Sequence, residues 1–148
     1  MKKEILIDLM DLDEHSGFGE IERMYANIFS KIDIPDMHFN FLVRDKQMNT
    51  YGEKVGYLKH RSIYKVFPFL ISRHFDLWHS VHQLYRECPR NKSTKRILTI
   101  HDLNFLYEKN EKKAKKYLNA VCKKINNAHH LVAISNFAKC EVLKNCKV

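Results

Sequence analysis

At 148 residues the chain has the size of one domain, on a prior of about 150 residues per domain. A hydrophobic fraction of 45%, with only 4 Gly and 3 Pro, excludes a disordered, collagen-like or low-complexity chain. Lys and Arg total 26 against 17 Asp and Glu, a net charge of +9. That balance points to an anionic partner: nucleic acid, an anionic membrane surface or a phosphorylated substrate.

In chain order, Ile5-Leu6-Ile7-Asp8-Leu9 predicts a buried first strand. A polar loop from Asp11 to Gly19 follows. Ile21, Met24, Tyr25, Ile28, Phe29 and Ile32 then recur at helical spacing. Phe39 to Val43 predicts a second strand and Val55 to Leu58 a short third. Ser62 to His74 has a helical pattern, with Pro68 acting against it. Leu77 to Val81 predicts the fourth strand, with Trp78 in the core, and Ile97 to Ile100 the fifth. Glu111 to Asn127 predicts a helix with Ala114, Tyr117, Leu118, Val121, Cys122 and Ile125 on one face. Leu131 to Ile134 predicts a sixth strand, and Ser135 the N-cap of a helix from Asn136 to Lys147.

Short apolar strands alternating with helices define an α/β class. The expectation is a Rossmann-like three-layer domain, with a mostly parallel sheet and helices on both faces. No run approaches the roughly 20 apolar residues of a membrane span. Glu4, Asp8 and Asp11 interrupt the N-terminal segment, against a signal peptide. The 4 cysteines form no Cys-x-x-Cys pair. Their placement argues against a disulfide-stapled secreted domain and for the reduced cytosol.

In parallel sheets ligands bind beyond the carboxyl ends of the strands, so the residues that follow each strand are the candidates. Ser16-Gly17-Phe18-Gly19 enters a helix, whose N-terminus can take a phosphate. The dinucleotide fingerprint fails at Glu22, so the two glycines alone read as a plain helix entry. His79 and His82 could bind a metal, but strand geometry turns them to opposite faces and no third ligand is evident. His82 is either a polar ligand contact or a loop residue. His101-Asp102 could move a proton or hold sugar hydroxyls; equally, Asp102 could cap a turn beside a buried His101. Lysines crowd residues 109 to 124. They read as a solvated face, with anionic membrane docking as the functional alternative. No aromatic residues interleave with them and no nucleic-acid-binding signature occurs, so no nucleic-acid partner is expected.

Four segments in this order resemble the N-terminal domain of family 4 (group 1) retaining glycosyltransferases, which have the two-domain GT-B architecture. They are Ser16 to Gly19, Asp76 to His82, Thr99 to Leu103, and Ala128 to Lys139. The resemblance implies that residues 1–148 are the N-terminal, acceptor-side domain, with the C-terminal donor-binding domain absent. The expected origin is an excised domain or a truncated gene product. Glu14 and Glu22 show the spacing of the family's Glu-x7-Glu motif, but that motif belongs to the second domain, and the match is coincidental. By resemblance, Gly17 and Gly19 lie against the donor diphosphate and His101 is the catalytic residue beside the transferred sugar. His82, Asp102 and Asn104 face the acceptor. The implied partners are a nucleotide-diphosphate sugar and a glycan or lipid-linked acceptor, with no cofactor and no metal. The implied location is cytoplasmic, with peripheral contact at the inner face of the membrane. The rival expectation is a non-catalytic Rossmann-like module that binds a nucleotide or an anionic surface.

Overall fold

The computed structural model describes residues 2–148 apart from 86 and 90. The described residues form six parallel strands: β1 (Lys3–Asp8), β2 (Met37–Val43), β3 (Gly56–Lys59), β4 (Leu77–Ser80), β5 (Lys95–Ile100) and β6 (His130–Ala133). Their order in the sheet is β3-β2-β1-β4-β5-β6, the order of a Rossmann-type sheet. The chain grows outward from β1 in one direction and then, after β3, returns to grow from β1 in the other. The switch point lies between β1 and β4, where Asp8 stands beside Ser80.

The helices cover both faces, which establishes the three-layer α/β fold. On one face α1 (Gly17–Phe29) packs Ala26 against Ile5, Ile7, Phe39 and Phe41. On the other, α3 (Glu111–Asn127) and α4 (Asn136–Asn145) bring Val121, Ile125 and Val142 onto Leu98 and Ile100. Leu6, Leu42 and Trp78 complete that second face with Tyr64, Ile71 and Phe75. A short helix α2 (Phe105–Glu108) precedes α3. As expected, the Ser135 hydroxyl accepts the Ala138 N–H at 3.1 Å and caps α4.

Four sequence expectations are corrected. Residues 62 to 74 are not one helix but two short 3-10 turns, Ser62–Lys65 and Pro68–Leu70. The second has Pro68 at its first position, where its missing N–H costs nothing. Helix α1 is rotated from the predicted stripe. It buries Gly19, Glu22 and Ala26, and leaves Met24 62% and Ile28 53% exposed. The small residues let the helix approach the sheet, and Glu22 finds partners described below. Strand β6 is the sheet's outer edge, so Val132 is 44% exposed rather than buried. Finally, Cys122 of α3 and Cys146 after α4 form a disulfide, with Cα atoms 5.3 Å apart, against the expectation of four reduced thiols. Among the described residues Cys88 and Cys140 are free and exposed. No helix among them is long and apolar enough to cross a membrane.

The bridge closes a loop of sequence separation 24 and pins α4 to α3. Cys146→Ser should lower unfolding stability by about 3 kcal/mol in the chain-entropy account. Denaturant titration and amide exchange check this; the fastest new exchange should be in α4. An unchanged midpoint would mean that apolar packing alone holds α4.

Candidate functional site

The segments that follow β1, β4 and β5 meet at the carboxyl edge of the sheet. The loop after β1 is shaped by its own contacts. Arg23 Nη1 donates to the Leu12 and Glu14 carbonyls at 2.7 and 3.1 Å, and Arg44 pairs with Asp13 at 3.0 Å. The Ser16 hydroxyl accepts the Gly19 N–H at 3.2 Å and caps α1. A Cβ on Gly19 would stand 2.1 Å from the Glu14 carbonyl oxygen, so loop closure itself demands glycine there. A Cβ on Gly17 would meet nothing within 4 Å. Between them, Phe18 sets its ring edge-on to His82, with centroids 4.2 Å apart, and to His101 at 4.9 Å.

The two histidines have assigned tautomers. The Leu84 N–H donates to His82 Nδ1 at 3.2 Å, which leaves the proton on His82 Nε2. Burial, with the charges of His101 and Lys124, pushes the His82 pKa down to about 4, so the ring is neutral near pH 7. His101 lies buried, and its Nε2–H donates to the Val81 carbonyl at 2.7 Å. His79 is neutral as well; burial takes its pKa down to about 4, and its Nε2 lies 2.9 Å from the Thr99 hydroxyl, away from His82.

Gln83, also buried, holds the strand ends together. Its carboxamide donates to the Asp102 carbonyl at 2.8 Å and accepts the His101 N–H at 3.1 Å. Its own carbonyl accepts from the Lys124 ammonium at 2.8 Å. Asp102 in turn accepts the Asn104 N–H and side-chain amide, each at 3.1 Å. This is the turn-capping role, and it fixes the carboxylate before α2.

A cavity of about 600 Å³ opens over these residues. Of the sequence candidates, His82, Asp102 and Asn104 line it. Gly17, Gly19 and His101 do not; His101 lies beneath the Phe18 ring, and Phe18 is the glycine loop's contribution to the wall. Lys116 and Lys124 of α3 also line it, with the Lys124 ammonium on the Gln83 carbonyl. Lys116 is exposed, as a solvated helix face requires, whereas Lys124 is partly buried, a contact that helical spacing alone does not reveal. Gln83 and Phe18 carried no sequence signal beyond their adjacency to candidate residues.

Behind the cavity lies a buried acid cluster. Glu22 accepts the Asp11 N–H at 2.7 Å, and Tyr85 bridges Glu22 and Asp11, 2.8 Å from the latter. One phenol proton cannot serve two carboxylates, so one carboxyl must be protonated. Burial pushes Glu22 up to about 8, against the opposing hydrogen bonds from the Tyr85 hydroxyl and the Asp11 N–H, so near pH 7 Glu22 is the carboxyl that holds the proton. Asp8, fully buried with both oxygens unpartnered, is also pushed well up, mainly by burial. Among the described residues no group of three or more His, Cys, Asp or Glu side chains is placed to hold a metal ion.

The chain matches no family model, no curated protein and no solved structure. The geometry of the cleft therefore carries the functional argument.

The Glu22 proton has a stability consequence. The unfolded chain releases it near 4.5 and the folded chain near 8. Its contribution is complete below 4.5 and is lost as pH rises to about 8. His79 and His82 act oppositely, contributing above 6.5 and losing that contribution as pH falls to about 4. Between pH 7 and 8 the histidines no longer contribute a slope. There the folded protein should lose stability, and Glu22→Gln should flatten the fall by roughly 1 kcal/mol. Parallel urea titrations of the two proteins would contradict this if their slopes against pH coincide.

Proposed function

We propose that this chain forms the acceptor-side wall of a retaining glycosyltransferase, which moves a sugar from a nucleotide-diphosphate donor to an acceptor hydroxyl. The observation that carries it is the convergence of neutral His82, Asp102 and Asn104 on one cavity of about 600 Å³ at the strands' carboxyl ends, a size suited to a small ligand. Sugar hydroxyls both donate and accept. His82 Nε2–H offers a donor, the Asp102 carboxylate an acceptor, and Asn104 steadies that carboxylate.

In this proposal His101 lies beside the transferred sugar. Its Nε2–H is spent on the Val81 carbonyl, so Nδ1 is the ring nitrogen left for substrate. The ring reaches substrate with Phe18 moved aside. The donor diphosphate lies against the Ser16–Gly19 loop and the N-terminus of α1, whose first N–H groups and dipole favour an anion. Lys116 and Lys124 line the cavity as well and add positive potential. A second domain would supply the other wall and most donor contacts. A place at the surface of an anionic membrane goes with this role, with an anionic, lipid-linked acceptor fitting the +9 charge, while the Cys122–Cys146 bridge speaks against the reduced cytosol expected from the cysteine pattern.

The test is nucleoside diphosphate release by the protein as its gene encodes it. Uridine-, guanosine- and adenosine-diphosphate sugars are pooled with an acceptor extract. Acceptor-dependent release should fall about 100-fold or more in His101→Ala, the scale of a lost catalytic group. Asn104→Ala should act mainly through a higher acceptor KM. No release from the folded protein would favour the non-catalytic binding module. Release that is indifferent to His101→Ala would remove that residue from the chemistry.

A further inference from the structure

The sheet of the described residues has two outer strands, and their edges are built differently. An unpaired strand edge presents N–H and C=O groups that template another strand, and proteins blunt such edges with charge, proline or cover. Strand β3 is half-buried and ends in Lys59, whose ammonium lies 2.7 Å from Asp45. Strand β6 reads His-Leu-Val-Ala, without a lysine, an acid or a proline, and only Leu131 in it is part-buried. Beside it an open groove of about 650 Å³ lies between β6 and α4. Leu131, Ala133 and Val142 line this groove, as do Ile134 and Leu143, which are 55% and 58% exposed. A second hollow, of about 560 Å³, shares Leu131 and lies toward the end of α3, so a strand laid along β6 would pass both.

The charge around the groove says what covers it. Lys139 lines it, Lys144 follows Leu143, and Lys147 precedes Val148, which also lines it. From His129 to Val148 the sole acid is Glu141. That residue is buried, and its carboxylate accepts from the Tyr107 hydroxyl at 2.7 Å. The exposed charge beside β6 is therefore basic. Two copies of this chain paired through β6 would set those lysines against one another, whereas an acidic chain would be attracted.

We infer that β6 and its groove are a docking site for an extended acidic segment of a partner protein. The segment adds to the sheet beside β6, sets apolar side chains in the groove and brings its carboxylates to Lys139, Lys144 and Lys147. Main-chain pairing supplies the attachment, and the groove and the lysines select the sequence. The site shares no lining residue with the cleft and does not depend on the sugar-transfer proposal.

A displayed library of random peptides, selected on the folded protein, is the probe. Selection should enrich peptides in which β-branched apolar residues alternate along a strand flanked by Asp and Glu. The leading peptide, synthesised with a fluorophore, should bind more weakly as salt rises. Leu143→Asp should weaken it about tenfold. Lys139→Glu should weaken it severalfold. Both positions are exposed, so neither change disturbs the core. Bound peptide should also slow amide exchange in β6. No enrichment above the bare support overturns the site. So does a selected peptide that neither variant weakens, or that leaves exchange in β6 unchanged. Enrichment without regard to acidic residues overturns the assigned partner chemistry. The assignment to a peptide is also overturned if the protein instead binds phosphatidylserine vesicles, or forms a dimer in sedimentation, and Leu143→Asp abolishes that association.

Discussion

The carboxamide of Gln83 is the constraint on which the cleft depends. One side chain joins the end of β4 to the Asp102 carbonyl and the His101 N–H after β5, and its backbone carbonyl holds Lys124 of α3. The Gln83 side chain is buried, so removing it would leave the His101 N–H without its partner. Three polar residues of the cavity wall, His82, Asp102 and Asn104, all lie within two residues of an atom that Gln83 grips or on its immediate neighbour. Their arrangement is therefore set before any ligand arrives, which lowers the cost of ordering them on binding.

Burial is the largest cause of the strong protonation shifts around the site. It holds His79 and His82 neutral near pH 7, pushes Glu22 up to about 8 despite its hydrogen bonds, and pushes Asp8 well up. Around the cavity the Asp102 carboxylate, held by the Asn104 N–H and side-chain amide, and the ammonium groups of Lys116 and Lys124 accompany neutral His82. Such a mixture of donors, an acceptor and cations suits a ligand that carries both hydroxyls and an anionic group. The acid cluster around Tyr85 fixes α1, and so the Phe18 ring, against the sheet.

The sheet was legible because each strand is a short apolar run and the connections alternate with helices. The span Glu111 to Asn127 was legible for a different reason: a sustained helical period between Asn110 and Ala128 leaves little choice. What escaped were the long-range pairings of polar and small residues. Nothing in local periodicity says that Glu22, rather than Ile21 or Met24, faces the sheet, since the deciding partner is Tyr85, far along the chain. The Cys122–Cys146 bridge was hidden in the same way, because α4 folds back on α3. At the site, His82, Asp102 and Asn104 were legible from their places after strand ends, whereas the covering of His101 by Phe18 depends on how α1 docks.

Ligand binding at the carboxyl edge of the sheet is open to one decisive measurement, the backbone amide shifts of the chain during titration with a uridine-diphosphate sugar. Residues 16–19, 82–84 and 101–104, the three segments that converge at that edge, should be perturbed. Shifts confined to other surfaces, or none at all, would contradict it.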